Sequence, residues 1–468
     1  MIRGILVLFG GFLTHLTLGT GFSYGNMSPY ITSYLHSIND HPSITSQDAI
    51  WGFAMAIFGQ GSLMYLGGIL YGKIGPRITS YLGCLIASLG VAATFFTIQY
   101  SLTAVVATYG LMFGLGISIA YVPSLTSAME WFPNHKGLVN GIIVGGFGLG
   151  SFIFTQVQTS YLNPDNHLPN DEGYFTDPYL LSRIPNVFLL LSAIYTTFQF
   201  IGCAFLARPM KAEQETLPLF DSTNVSVLSV SSTNLAAASA ESSYGSVAET
   251  NFAAGIDSKQ TAEGAKQKSE TPSIRCYTPR EMIQCRQFYI LWLTFFFNNQ
   301  ILIYINSMYK AYGQTFIKDD QYLALVGAIS AIFNSLGRVV WGLILDRSNY
   351  RLCMLIITVF LGAFVATLGF TPYGGKFMFA AWIWGIFFFV AGTFVLMPTC
   401  TTLTFGIKHA GINYGIVFTN TILSAPLVAL LTQNLSGYLG WFGTFGMLSG
   451  FAVCSFITTL FFTDIKQT

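Results

Sequence analysis

The chain has 468 residues, 52% hydrophobic, 16% aromatic and only 9% charged. A soluble domain carries about 25% charged residues, so an ordinary soluble protein is excluded and lipid is the solvent for most of the chain. With 21 Lys and Arg against 20 Asp and Glu, the formal net charge is +1, and no basic or acidic field argues for a nucleic-acid partner.

A membrane-crossing helix needs about 20 mostly apolar residues, and twelve such segments are predicted. Six cover residues 5–30, 49–71, 79–98, 102–128, 138–160 and 184–207. Six more cover 287–309, 321–345, 351–371, 376–400, 411–432 and 437–462. The first has one arginine ahead of its apolar run and no small-residue cleavage site, so it reads as a signal anchor that stays in the bilayer. Between the two sets, residues 209–286 are rich in Ser, Ala and Thr and poor in large apolar residues. Such a stretch cannot bury enough surface to fold and is predicted to be a disordered linker. The loop from Leu162 to Arg183, rich in Pro, Asp and Asn, is expected to form a small cap. The seven cysteines (Cys84, Cys203, Cys276, Cys285, Cys353, Cys400, Cys454) show no CxxC or Cys/His spacing, which argues against a disulfide framework or a structural zinc site.

Short cytosolic loops keep their positive charge during insertion. With the N-terminus inside, only Arg183, Lys310, Lys318 and Lys376 fall on the far side; the other Lys and Arg outside the spans gather with both termini and the linker. The expected topology is therefore a multi-pass protein with both ends cytosolic, the plasma membrane being the default location.

Sliding the chain by 274 residues pairs Gly68 with Gly342, Lys73 with Arg347, Arg77 with Arg351, His135 with His409, Gly137 with Gly411 and Gly141 with Gly415. These pairs lie in equivalent loops, so residues 1–208 and 287–468 are expected to be two six-helix halves, a parallel repeat about an axis along the membrane normal.

The loops GILYGKIGPR (Gly68 to Arg77) and GLILDRSNYR (Gly342 to Arg351) resemble the two copies of the loop signature of the major facilitator superfamily, although Gly72 stands where the first copy usually has Asp. Within that superfamily, WFPNHKGLVNGIIVGGFGLGSF (Trp131 to Phe152), FGIKHAGINYGIVFT (Phe405 to Thr419) and NSLGRVVWGLILDR (Asn334 to Arg347) are similar to segments of the monocarboxylate and oxalate/formate transporter branch. The resemblance implies an all-α fold of twelve transmembrane helices, and secondary transport of small organic anions by alternating access, with no enzymatic activity.

The site residues follow from what a membrane interior tolerates. Arg338 lies inside an apolar span, where a guanidinium costs about 2.5–3.5 kcal/mol unless it faces a wet cavity or a partner. It suits a carboxylate, which it can hold through two parallel hydrogen bonds, and the resemblance aligns it with the branch's substrate-binding Arg; pairing with a neighbouring carboxylate is the structural alternative. Four residues earlier, proton-coupled relatives typically have Asp; here Asn334 cannot release a proton. Thr421 occupies the place of a Lys in oxalate carriers. One cation without a second favours a monocarboxylate or a zwitterion over a dianion.

His15 is the only histidine inside a predicted span and the proton-coupling candidate, with plain packing as its alternative. Asn298, in the polar run with Asn299, Gln300 and Asn306, is assigned to a water-filled path, and Tyr121 and Trp384 to aromatic walls or packing. Lys73, Arg77, Asp346, Arg347 and Glu130 are assigned to the cytosolic gate. The expected partners are a small organic anion, protons and the lipid bilayer. No P-loop, metal-ligand cluster or cofactor motif is present, so ATP-driven transport is not expected. Transport of an amino acid or other polar metabolite, and a transport-inactive receptor or scaffold acting through the linker, stand as alternatives.

Overall fold

The computed structural model describes residues 2–38, 44, 48–165, 167, 169–170, 174–209 and 276–463. The described residues are helical, joined by short turns and loops. In chain order the helices are α1 (Ile2–Leu18), α2 (Tyr24–Ile38), α3 (Ile50–Thr97), α4 (Leu102–Val105), α5 (Phe113–Trp131), α6 (Lys136–Leu162), α7 (Pro178–Ala204), α8 (Pro279–Gln284), α9 (Arg286–Gln314), α10 (Asp320–Arg347), α11 (Tyr350–Thr367), α12 (Thr371–Phe405), α13 (Ala410–Phe418) and α14 (Asn420–Leu460). A 3-10 segment, Gly19–Ser23, joins α1 to α2, and a wider π-type turn, Val106–Met112, joins α4 to α5.

Among the described residues, nine continuous helical stretches are long and apolar enough to cross a bilayer, and the protein is an integral, multi-pass membrane protein. Three of the nine carry a glycine with a positive φ: Gly75 at 81°, Gly375 at 66° and Gly440 at 61°. L side chains rarely adopt that conformation, so the helical path breaks at each of them. The first two fall in the gaps predicted after residues 71 and 371. The third lies inside the predicted span 437–462, because the helix runs on through residues 433–436 before Gly440 turns it. The first predicted span is likewise longer, reaching Ile38 beyond the 3-10 interruption.

Close helix approach is paid for in glycines, and the repeat pairs meet crosswise. Gly68 of α3 packs on the backbone of Gly411 in α13, and Gly342 of α10 packs on that of Gly137 in α6. One turn further, Gly141 packs on Arg338 and Val339, and Gly415 on Met64 and Tyr65. An offset of 274 carries each contact onto the other.

Residues 210–275, most of the predicted linker, lie outside the described residues. The linker's last eleven residues, 276–286, are ordered, contrary to expectation. Thr278 and Glu281 close a capping box on α8, the Tyr277 amide donates to Phe405 O at 2.8 Å, and Asn413 donates to Tyr277 O at 3.2 Å. The loop after α6 caps α2 as expected: Tyr174 stacks on His36 with centroids 4.4 Å apart, Phe175 stacks on Tyr30 at 4.8 Å, and the Phe175 amide donates to Ser33 at 2.9 Å.

Candidate functional site

The site is organised by one face of α10. Residues 324, 327, 331, 334, 338, 342 and 346 recur every three or four positions, so they form one stripe on a 3.6-residue helix, and that stripe meets α6. Ser335 donates to Gly145 O at 2.7 Å, and Arg338 Nη1 donates to Val144 O at 2.8 Å. At the end of the stripe, Asp346 accepts the Gly137 and Leu138 amides, both at 2.9 Å.

Arg338 is completely buried. Its Nε donates to Asn334 Oδ1 at 2.9 Å, while Asn334 Nδ2 is spent on Phe387 O at 3.1 Å. Its Nη2 has no hydrogen-bond partner. Three rings surround the guanidinium, with centroids 5.9 Å (Phe22), 5.6 Å (Phe147) and 5.2 Å (Phe394) from Cζ. The alternative expected from the sequence, an arginine neutralised by a carboxylate, does not describe this geometry. A buried cation with a free donor costs several kcal/mol unless an anion joins it.

On the α1 side of Arg338 lies His15, also completely buried. Its Nε2 sits 2.8 Å from Ser124 Oγ and 3.2 Å from Tyr121 O, and its Nδ1 has no partner. The imidazole lies within electrostatic reach of Arg338. Its ring is 4.5 Å from that of Tyr121, which is 5.6 Å from Phe147 and 6.5 Å from Tyr414. The Tyr121 and Tyr414 hydroxyls are buried neighbours without a well-formed hydrogen bond. Thus His15 Nδ1, Arg338 Nη2 and two hydroxyls form an unsatisfied polar group among aromatic rings.

A cavity reaches Asn334 from the opposite direction. Phe22, Asn26, Gly148, Ser151 and Thr155 line one wall; Asn306, Lys310, Ala324, Gly327, Ala331, Asn334 and Phe387 line the other. Asn306 Nδ2 is buried there without a partner. A second recess shares Thr155 and Ala324 and continues to Asn163 and Pro164. The two recesses together reach from Asn163 and Pro164 to Phe22 and Asn334, while at the other end of the stripe Asp346 ties α10 to α6.

Arg338, Asn334, Tyr121 and His15 are brought together. Asn298 is not with them: it donates to Thr393 at 3.2 Å, beside Met354, away from the cavity. Trp384 donates to Val326 O at 3.1 Å and stacks on Phe333 at 5.5 Å, also off the cavity wall. Thr421 packs over Gly61, where a Cβ would strike its hydroxyl, and donates to Phe418 O at 2.9 Å. Of the gate residues, Asp346 bridges to α6, whereas Lys73, Arg77 and Arg347 are exposed. Glu130 faces Tyr71 and Arg208, and the Arg208 guanidinium lies 4.0 Å over the Tyr71 ring. Sequence reasoning missed Phe22, Phe147, Phe394 and Tyr414; the signals present were the glycines 19, 21 and 25 around Phe22 and the Asn413-Tyr414-Gly415 motif.

The sequence model of the Major Facilitator Superfamily matches residues 7–424. Among curated proteins, Apicoplast pyruvate carrier 1 of Toxoplasma gondii is 24% identical over 98% of this chain and 87% of its own length. The Oxalate:formate antiporter of Oxalobacter formigenes is 23% identical over 88% of this chain and 81% of its own. Among solved structures, a proton:xylose symporter bound to 6-bromo-6-deoxy-D-glucose superposes with a TM-score of 0.60 at 13% identity, covering 97% of this chain and 95% of that one.

Proposed function

Since the chain belongs to the major facilitator superfamily, a family of transporters and not enzymes, we propose that it carries a small monocarboxylate across its membrane by alternating access, with Arg338 as the anion site. Twelve crossings in two six-helix halves, residues 1–208 and 287–468, are part of the proposal. The glycine breaks at 75, 375 and 440 support that count, and the crosswise glycine contacts support two halves that rock on each other. The Lys and Arg bias supports cytosolic termini, and the plasma membrane is the proposed location.

One observation carries the substrate class: Arg338 is buried and presents an unused donor, with no carboxylate among the described residues to neutralise it. A single carboxylate would complete it. Thr421 supplies no second cation, which favours one negative charge over two. The likeness to a protein named as a pyruvate carrier is consistent with that class.

Proton coupling is assigned to His15. A second positive charge on its ring would be repelled by Arg338 in a low-dielectric site, and an anion bound there removes that repulsion. Anion and proton binding thereby assist each other, as linkage requires.

The test is uptake of labelled pyruvate, lactate, acetate and oxalate into proteoliposomes. Truncating one partner of a buried charge pair costs about 2–5 kcal/mol, so Arg338→Ala is expected to lose monocarboxylate uptake by roughly 30-fold or more at equal protein content. Retained uptake removes Arg338 from the site. Uptake of oxalate in preference to the monocarboxylates refutes the assigned charge class.

A further inference from the structure

We propose that Phe22 is the size filter of this carrier: its ring is the partition between the cavity and Arg338, and it sets how bulky an acid can pass. The inference rests on the reading of Arg338 as the anion site. Of the three rings around the guanidinium, only Phe22 also lines the cavity. Asn334 lines the cavity, yet Arg338, one turn along the same helix face, is completely buried. An anion in the cavity therefore meets the Phe22 ring before it meets Nη2.

The backbone under this ring is suited to a moving part. Phe22 belongs to the 3-10 segment Gly19–Ser23, whose hydrogen-bond geometry is poorer than that of the helices on either side. Gly19 is pinned against the Phe147 carbonyl, so the segment has a fixed foot, whereas a Cβ on Gly21 would meet only Phe113, at 3.4 Å. The ring itself is held by edge contact with Phe147 at 5.5 Å and tilted contact with Phe53 at 5.7 Å. Those contacts are dispersive and individually weak, so the ring can swing while its backbone stays anchored. The room vacated by the ring is what the substrate's non-carboxylate end must fit.

The experiment measures uptake of acetate and of a bulky monocarboxylate, 3-phenylpropionate, by proteoliposomes of the full chain carrying Phe22→Ala, Phe22→Leu or Phe22→Trp. The bulky-to-small ratio cancels protein amount and active fraction. Pocket changes of this size shift discrimination on the order of tenfold or more. The ratio is expected to rise about tenfold in the Ala variant, less in Leu, and to fall below wild type in Trp. A ratio flat across the series, including one in which every variant loses both acids equally, overturns the proposal, because a purely structural Phe22 would scale both rates alike. Arg338→Ala run alongside separates the two readings: retained acid uptake in that variant defeats the anion site, whereas the Phe22 ratio tests the filter.

Discussion

Asp346→Asn is expected to loosen the tie between α10 and α6. The first amides of a helix have no partner within it, and His135 supplies no side-chain cap to α6. Asp346 fills that role from α10, accepting from Gly137 and Leu138 at 2.9 Å each. A carboxylate at an exposed helix N-terminus contributes about 0.3–1 kcal/mol. Hydrogen bonds to a charged group contribute about 1.5–3 kcal/mol, a figure to be discounted here because Asp346 is exposed and screened by water. Asn retains one acceptor oxygen and loses the charge, so a loss of about 1 kcal/mol is expected, a factor of about five in the open-to-closed ratio at this end. The assay is pulsed EPR on spin labels at Lys73 and Lys408, exposed positions on the two sides of the repeat, in a background lacking the exposed Cys454. A longer-distance population should grow about fivefold in detergent or nanodiscs. An unchanged distribution, or one shifted toward the shorter distance, refutes the latch.

The offset that pairs Asp346 with Gly72 leaves α13 without the corresponding carboxylate, and a Cβ on Gly72 would meet nothing within 4 Å. Gly72→Asp is therefore expected to add a second latch, raising the short-distance population in the same EPR experiment and slowing uptake; an unmoved distribution means the two ends of the repeat do not act alike. His15→Gln is expected to abolish the acceleration of monocarboxylate uptake by an inward proton gradient while leaving exchange at equal pH on both sides; acceleration that survives places the proton path elsewhere.

Much of this arrangement was legible before any coordinates because its causes are local or periodic. Charge inside an apolar run identified Arg338, and the 3.6-residue period placed Asn334 and Asp346 on its face. The repeat glycines were visible at fixed spacing, although their crosswise contact depends on two distant helices meeting. Phe22 was not legible: it is one of 42 phenylalanines, and only the tertiary packing sets its ring over a guanidinium. The placement of Asn298 and Trp384 away from the cavity was hidden for a related reason. Their sequence positions do not say which neighbours they meet: Asn298 Nδ2 donates to Thr393 and Trp384 Nε1 to Val326 O, each inside its own part of the bundle. The ordered linker end was misread because a composition average over 209–286 hid a specific signal, the Thr278-Pro279-Arg280-Glu281 cap.

The repeat also says where to look for chemistry. Two copies that keep the same backbone contacts must have the same constraints on glycine, and they do: Gly141 on Arg338 matches Gly415 on Met64. What differs between the copies is then free of the packing argument. Met64 stands opposite Arg338, Gly72 opposite Asp346, and Phe147 opposite Thr421. One copy thus holds the buried cation and the charged latch, while the other supplies apolar and small residues in the same places. A second arginine at Met64 would double a desolvation cost of several kcal/mol. The asymmetry matches the proposed site, in which a single carboxylate is met by the one buried cation, on α10.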